Sequence, residues 1–375
     1  MHIVLVIPGL DRIGGAERQV MLLAKGLAQR GWRVSVVALT GSGGNAAAEL
    51  TAAGVSFLSF KMRKGLADPR GWIRFNRWLR KEMPDVVHAH LPHATWFARW
   101  SRLGAPVRVV LDTLHSSSTG TAGRRAGYCW SNWLPDKVTA VSQAVAETHL
   151  SARMVSRGKL AVVSNGVDVE YLRPDSAARK SLREELGIND EFLWFAAGRL
   201  EPVKDYPTLL RALALMPDRL QLAIAGSGVL DAELRLLVTH LGLQNRVRFL
   251  GFETDVRRWL QAADGFVLSS RVEGLPMVLL EAAACELPAV ATDVPGTREA
   301  IVDGETGWLA AADDAAALSA KMTILMQTEP EARNAMAKQA RHFIVERFSL
   351  KAVLDQWESL YADLLDRYPQ PKRWS

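Results

Sequence analysis

Cysteine is nearly missing from this chain. Cys129 and Cys285 are the two in 375 residues, far apart and without a C-x-x-C or histidine partner spacing, which argues against a disulfide scaffold and a cysteine-held zinc. A reducing cytoplasm suits such a sequence. No apolar run approaches the ~18 residues of a membrane-spanning helix. The opening M-H-I-V-L-V-I-P-G-L has neither a basic leading segment nor a small-residue cleavage site, so a soluble chain is expected. Short-period repeats and low-complexity tracts are also lacking, which excludes solenoids and fibrous architectures. G-x-G-x-x-G does not occur. G-S-G at 226–228 follows an apolar strand but has neither the third glycine nor a suitably placed ribose-binding acid, so a nicotinamide site is not expected.

Charge is present but unevenly divided. Residues 1–168 carry 22 Lys and Arg against 10 Asp and Glu, and residues 169–375 carry 24 against 30, giving net charges of +12 and −6. The basic half suits an anionic partner. Apolar residues make up 49% of the chain, enough for the two domains that its length implies.

Buried-type strands alternate with helical segments throughout. H-I-V-L-V-I-P (2–8) is followed by a glycine-bearing loop and a helix closed by Gly31, then by W-R-V-S-V-V-A-L (32–39), V-V-H-A-H (86–90), V-R-V-V-L-D-T (107–113), K-V-T-A-V (137–141) and L-A-V-V (160–163). A looser, charged segment at 165–180 marks a domain boundary. The rhythm restarts with F-L-W-F-A-A (192–197), Q-L-A-I-A (221–225), V-R-F-L (247–250), G-F-V-L-S (265–269) and P-A-V-A-T (288–292). The expected class is α/β, with two Rossmann-like, doubly wound parallel-sheet domains facing across a cleft and ligands at the carboxyl ends of the strands.

One stretch concentrates the chemistry. E-G-L-P-M-V-L-L-E-A (273–282) sets Glu273 and Glu281 at the ends of a run without another polar side chain. Pro276 is expected in the first helical turn, leaving the amides of Gly274, Leu275 and Met277 directed at a ligand, a phosphate-suited arrangement. At ~1.5 Å rise per residue the two carboxylates stand on the order of 10 Å apart, beyond the ~5 to 9.5 Å of hydrolase pairs. They suit the two ends of an elongated, hydroxyl-rich ligand with negative charge between, such as a nucleotide diphosphate sugar. Helix capping by one Glu and solvation of the other is the competing account.

G-R-L-E-P-V-K-D-Y (198–206) places Arg199 and Lys204 past the end of a strand, where cations can converge on phosphate. In D-R-I-G-G-A-E-R (11–18), Gly14 and Gly15 precede a helix and let backbone amides approach a ligand. His115 ends the strand V-R-V-V-L-D-T-L-H (107–115) and is expected to project into the cleft. His88, His90 and His93 form H-A-H-L-P-H at another strand end; without a carboxylate partner cluster, metal is not expected there.

Together these motifs resemble glycosyltransferase family 4, retaining enzymes of the GT-B fold. The resemblance spans nearly the whole chain: G-G-A-E-R, T-L-H at 113–115, V-S at 141–142, N-G-V-D at 165–168, G-R-L-E-P-V-K-D at 198–205, G-S-G, R-V-R-F-L-G-F at 246–252, E-G-L-P-M-V-L-L-E-A and A-T-D-V-P-G-T-R-E at 291–299. It implies that Glu281 holds ribose hydroxyls and Glu273 a hydroxyl of the donor sugar. Arg199 and Lys204 would neutralise the departing diphosphate, with hydrogen bonds from Gly15 and the amides of Pro276 to Val278 (Met277 and Val278 as donors, since proline has none). His115 would lie beside the transferred sugar, and G-F-E-T-D at 251–255, with Phe252, would border the base. The family needs no metal and no cofactor beyond the nucleotide-sugar substrate, because fixed cations and helix dipoles stabilise the developing charge. Asp168-Val169-Glu170 is an ordinary turn rather than a metal-binding D-x-D. Glu286 stands where the family often has Gly, and Ser164 where Pro often precedes N-G-V-D.

The resemblance also returns the final helix, 349–365, to the first domain. The expected division is 1–168 plus 349–375 for the acceptor and 169–348 for the donor. The implied activity is retaining transfer of a hexose-type sugar, from a UDP-sugar by preference, to a saccharide or lipid-linked acceptor of cell-envelope glycan synthesis such as lipopolysaccharide. A catalytically silent saccharide-binding subunit and an NAD-dependent oxidoreductase are the alternatives. No nucleic-acid motif is present.

D-P-R-G-W-I-R-F-N-R-W-L-R-K-E-M-P (68–84) is a capped helix with Trp72, Phe75, Leu79 and Met83 on one stripe and Arg70, Arg74, Arg77 and Lys81 opposite. Either the cations are solvated, or this face, with Arg124 and Arg125, rests on an anionic membrane leaflet as the acceptor side.

Overall fold

The structure is a computed structural model that describes residues 1–63, 68–253 and 255–369. The chain divides into two units, Met1–Gly166 with Leu350–Ser375, and Val167–Ser349. The expected divisions lay at 168/169 and 348/349; of the tail assigned to the first domain, 370–375 lie outside the described residues.

The first unit holds strands β1 (His2–Ile7), β2 (Arg33–Ala38), β3 (Ser56–Ser59), β4 (Val86–His90), β5 (Val109–Leu114), β6 (Lys137–Ala140) and β7 (Leu160–Val162). They form one parallel sheet in the order β3-β2-β1-β4-β5-β6-β7. Every residue of β1 is buried because the sheet is covered on both faces. Ile3, Leu5 and Ile7 join a cluster with Leu23, Leu27, Trp357 and Tyr361, while Val4 and Val6 join another with Phe75, Leu79, Ala94 and Ala98. The two-residue period of the strand thus feeds two helical layers. Helix Gly15–Gln29 ends with Gly31 left-handed at φ 83°, Trp32 N–H donating to the Leu27 carbonyl and Gly31 N–H to that of Ala28. Helix Leu350–Arg367 packs on it, and Glu358 accepts from Arg30 and from Trp32 Nε1.

The second unit holds β8 (Phe192–Ala197), β9 (Leu220–Ala225), β10 (Val247–Gly251), β11 (Gly265–Leu268), β12 (Ala289–Thr292) and β13 (Gly307–Ala310), parallel and ordered β10-β9-β8-β11-β12-β13. Its core gathers Trp194, Leu209, Leu213, Leu222, Ile224, Leu318 and Met322. In each sheet the strand order reverses once, between β1 and β4 and between β8 and β11. At such a switch point the outgoing loops diverge and leave a crevice at the carboxyl ends.

Candidate active site

In the second unit, the loops leaving β8 and β11 carry the residues singled out in the sequence. Lys204, after β8, reaches Glu273, after β11: Nζ to Oε1 is 2.6 Å, with the side chains 16% and 10% exposed. Ser270 Oγ donates to the same Oε1 at 2.6 Å. Ser269 Oγ donates to the Lys204 carbonyl and Arg271 N–H to that of Val203, tying the two loops together. Arg199 does not join this pair. Its side chain is 69% exposed and donates to Glu201 at 2.6 Å. An exposed pair of this kind is weak.

The helix that follows is Met277–Ala284, with Pro276 as its N-cap rather than inside its first turn. Glu273 therefore precedes the helix and Glu281 lies within it. Leu275, Pro276 and Met277 are buried and Val278 half-buried. Glu281 is 3% exposed, and burial followed by the Glu281 charge pushes the Cys285 thiol up to about 12. Phe252, at the end of β10, is 60% exposed. Of the expected G-F-E-T-D border, Thr254 lies outside the described residues.

Several residues that build this site lie in motifs quoted above but were given no role in it. Gly296 lies against the backbone: a Cβ there meets the Gly274 carbonyl oxygen at 2.5 Å and that of Glu273 at 2.6 Å. The Thr292 hydroxyl donates to the Ser270 carbonyl, and the Thr297 hydroxyl to those of Thr292 and Val294. Gly226 and Gly228 give G-S-G its role: Cβ atoms there meet the carbonyl oxygens of Gly198 at 1.9 Å and Leu200 at 2.3 Å, so the motif seats the Arg199 loop. Tyr206 donates to the Gly198 carbonyl at 3.2 Å; burial and then the Glu273 charge raise its hydroxyl well above the usual range. The signal was present in the T-D-V-P-G-T spacing, but only the fold shows which loop it supports.

In the first unit, His115 follows β5, and its Nε2 lies 3.0 Å from His90 Nδ1. Burial lowers His115 to about 4, so the ring is neutral near pH 7. Both rings line a small cavity with Gln19, Ser164 and Asn165. Gly14 differs from expectation: its N–H donates to Glu17 Oε2 at 3.1 Å, the one half of a capping box that a glycine can make, which engages the amide expected to face a ligand, while Gly15 opens the helix. His88 is engaged by Tyr361 and Thr113, and His93 packs edge-on against Phe97. Among the described residues, no three His, Cys, Asp or Glu side chains gather to hold a metal. Asp168 Oδ1 accepts from the amides of Glu170 and Tyr171, which accounts for that turn.

Helix Pro69–Glu82 buries Phe75 and Leu79, half-buries Trp72, and exposes Arg70, Arg74, Arg77 and Lys81. Met83 leaves the expected stripe. It is the left-handed C-cap at φ 45° and 62% exposed, because the helical period ends one residue earlier. Arg124 and Arg125 are exposed on helix Ala122–Trp130, beside Trp130 at 69% exposure.

Comparison with known proteins gives this geometry its context. Residues 178–343 match the model of Glycosyl transferases group 1, and residues 13–171 that of Glycosyltransferase Family 4. EpsD of Bacillus subtilis is 30% identical over 356 residues, 90% of this chain and 91% of EpsD. The UDP-Gal:alpha-D-GlcNAc-diphosphoundecaprenol alpha-1,3-galactosyltransferase of Escherichia coli is 27% identical over 317 residues, 80% and 81% of the two chains. The crystal structure of Anabaena HepE in complex with UDP and glucose superposes with a TM-score of 0.86 at 22% identity, covering 96% of this chain and 99% of HepE. The matched segments contain both candidate loops, the whole second sheet and all of the first sheet but β1, and the chain belongs to the group 1 glycosyltransferases of family 4, with the GT-B fold.

Proposed function

We propose that this glycosyltransferase moves a hexose-type sugar from a UDP-sugar, with retention and without a metal, to a saccharide or lipid-linked saccharide acceptor of cell-envelope glycan synthesis. The observation that carries the donor assignment is the buried Lys204–Glu273 pair, braced by Ser270, at the switch point of the second sheet. Lys204 and Arg199 neutralise the diphosphate as the glycosidic bond to it breaks. Glu273 accepts a hydrogen bond from a sugar hydroxyl, and the buried Glu281 binds the ribose hydroxyls. The amides of Gly274, Leu275, Met277 and Val278 and the helix dipole add to the same charge stabilisation, and the strand end at Phe252 borders the base. Fixed positive charge of this kind replaces a divalent ion. In the first unit, His115 serves the transferred sugar, the Gly15 amide adds a hydrogen bond to the diphosphate, and the basic surface takes the acceptor. The Escherichia coli relative, named for a diphosphoundecaprenol acceptor, supports a lipid-linked acceptor here, and the UDP in the HepE structure supports the donor.

Calorimetric titration with UDP, GDP and ADP in EDTA tests this. UDP is expected to bind wild type, weaken about tenfold or more in Arg199→Ala, and weaken strongly in Glu281→Ala, each lost charge-assisted contact being worth about 1.5 to 3 kcal/mol. Binding of GDP or ADP in preference to UDP, or a strict need for a divalent cation, would overturn the donor or the metal assignment.

A further inference from the structure

We propose that His90 is a positioning residue for His115: it holds the His115 ring through Nε2 and fixes the tautomer whose proton sits on Nδ1, ready to donate to a substrate oxygen. This rests on the placement of His115 beside the transferred sugar.

The geometry begins in β4, where His88 and His90 are two residues apart and share a sheet face, with Ala89 on the other. Their rings lie 4.0 Å apart. His88 cannot rotate, because both of its nitrogens are engaged: Nδ1 with Tyr361 Oη at 2.8 Å and Nε2 with Thr113 Oγ1 at 2.6 Å. Thr113 Oγ1 continues to Thr139 Oγ1 at 2.7 Å, and Thr139 Oγ1 donates to the Asp112 carbonyl at 3.4 Å. A carbonyl only accepts, so the protons run one way. Thr139 donates to Asp112, Thr113 to Thr139, His88 Nε2–H to Thr113, and Tyr361 O–H to His88 Nδ1. Trp357 closes the other side, 4.7 Å from the His88 ring. His90 is therefore packed, at an interplanar angle of 39°, against a ring of fixed orientation.

One proton lies between His90 Nδ1 and His115 Nε2, which are 3.0 Å apart. His90 Nε2 is buried without a hydrogen-bond partner. A proton there would strand a buried donor, whereas a bare lone pair is the lesser penalty. His90 therefore donates from Nδ1, His115 accepts at Nε2, and the His115 proton resides on Nδ1. Burial keeps all three rings neutral, since it disfavours the imidazolium in each.

The test uses the full-length protein with 15N-labelled histidine near neutral pH, reading tautomers from two-bond nitrogen–proton couplings. His115 is expected as the Nδ1–H form in wild type and as a mixture in His90→Leu. His90→Leu should lower kcat by about 10- to 100-fold, the scale of lost orienting partners, with little change in the donor KM. His90→Asn, whose amide NH2 can stand in for Nδ1–H, should restore most of both signatures. An Nε2–H form in wild type, a tautomer indifferent to His90→Leu, or a His90→Asn as impaired as His90→Leu would overturn the proposal. Full activity in His115→Ala would instead overturn the placement of His115 itself, and the tautomer measurement keeps the two failures apart.

Discussion

Lys204 and Glu273 illustrate how much rests on single side chains. Replacing Lys204 with Ala removes the cation from a carboxylate that is 10% exposed and leaves Ser270 Oγ donating to it. The expected result is a kcat lower by about 10² to 10³, from lost charge stabilisation of the leaving diphosphate, and stability lower by about 1 to 3 kcal/mol. Initial rates and thermal melts check both; a variant that melts lower but transfers sugar normally would leave the pair a purely structural role. The buried histidines make a separate pH prediction. His115 falls from 6.5 to about 4 on folding, so between these values the unfolded chain binds a proton that the folded one refuses. Stability is complete above about pH 6.5 and is lost as pH falls toward 4, with His88 and His90 adding in the same direction. A Tm that drops across this window, and drops less in His115→Asn, is the expected outcome.

At the scale of the element, helix Met277–Ala284 closes with Glu286 left-handed at φ 53°, its N–H bonded to the Ala283 carbonyl and that of Leu287 to Ala282. This is the position where glycine is free of the side-chain penalty. Glu286→Gly should therefore stabilise the protein by about 0.5 to 1 kcal/mol, read as a raised denaturation midpoint at unchanged slope. Such elements differ in how legible they were. The central strands could be read because burial on both faces demands unbroken apolar runs. Of the edge strands, β7 and β10 could be read from L-A-V-V and V-R-F-L, whereas β3, S-F-L-S, and β13, G-W-L-A, could not, each being four residues that open on a serine or glycine typical of turns. Pro276 and Met83 were displaced by about one residue because capping geometry, not periodicity, sets helix ends. Glu273 stood out as a carboxylate at the end of an apolar run, and Lys204 as a cation just past the end of a strand. Gly296, Gly226 and Thr297 fell inside quoted motifs without a role, because their work is close backbone approach and loop bracing, visible only once the loops are folded together.

For the whole molecule, the basic surface of the first unit makes the membrane proposal measurable. Arg70, Arg77 and Lys81 are exposed on one helix, and Trp130 and Trp133 are 69% and 53% exposed. No helix among the described residues is long and apolar enough to cross a bilayer. Co-sedimentation with anionic vesicles is expected, falling about 100-fold in affinity when the three cations become Gln, at about 1 kcal/mol each. Equal binding to neutral vesicles would remove the electrostatic basis of the idea. Finally, the first unit is completed by helix Leu350–Arg367, whose Trp357, Tyr361, Leu364 and Leu365 belong to its core, while the intervening chain forms a unit of its own. On the ribosome, this means that residues 1–166 emerge with the apolar surface of Leu23 and Leu27 uncovered, and wait roughly 10 to 40 s at ~5–20 residues per second for the helix that covers it. The second unit can finish folding first, so the N-terminal half, though synthesised earlier, matures later and is the natural client of a chaperone during synthesis.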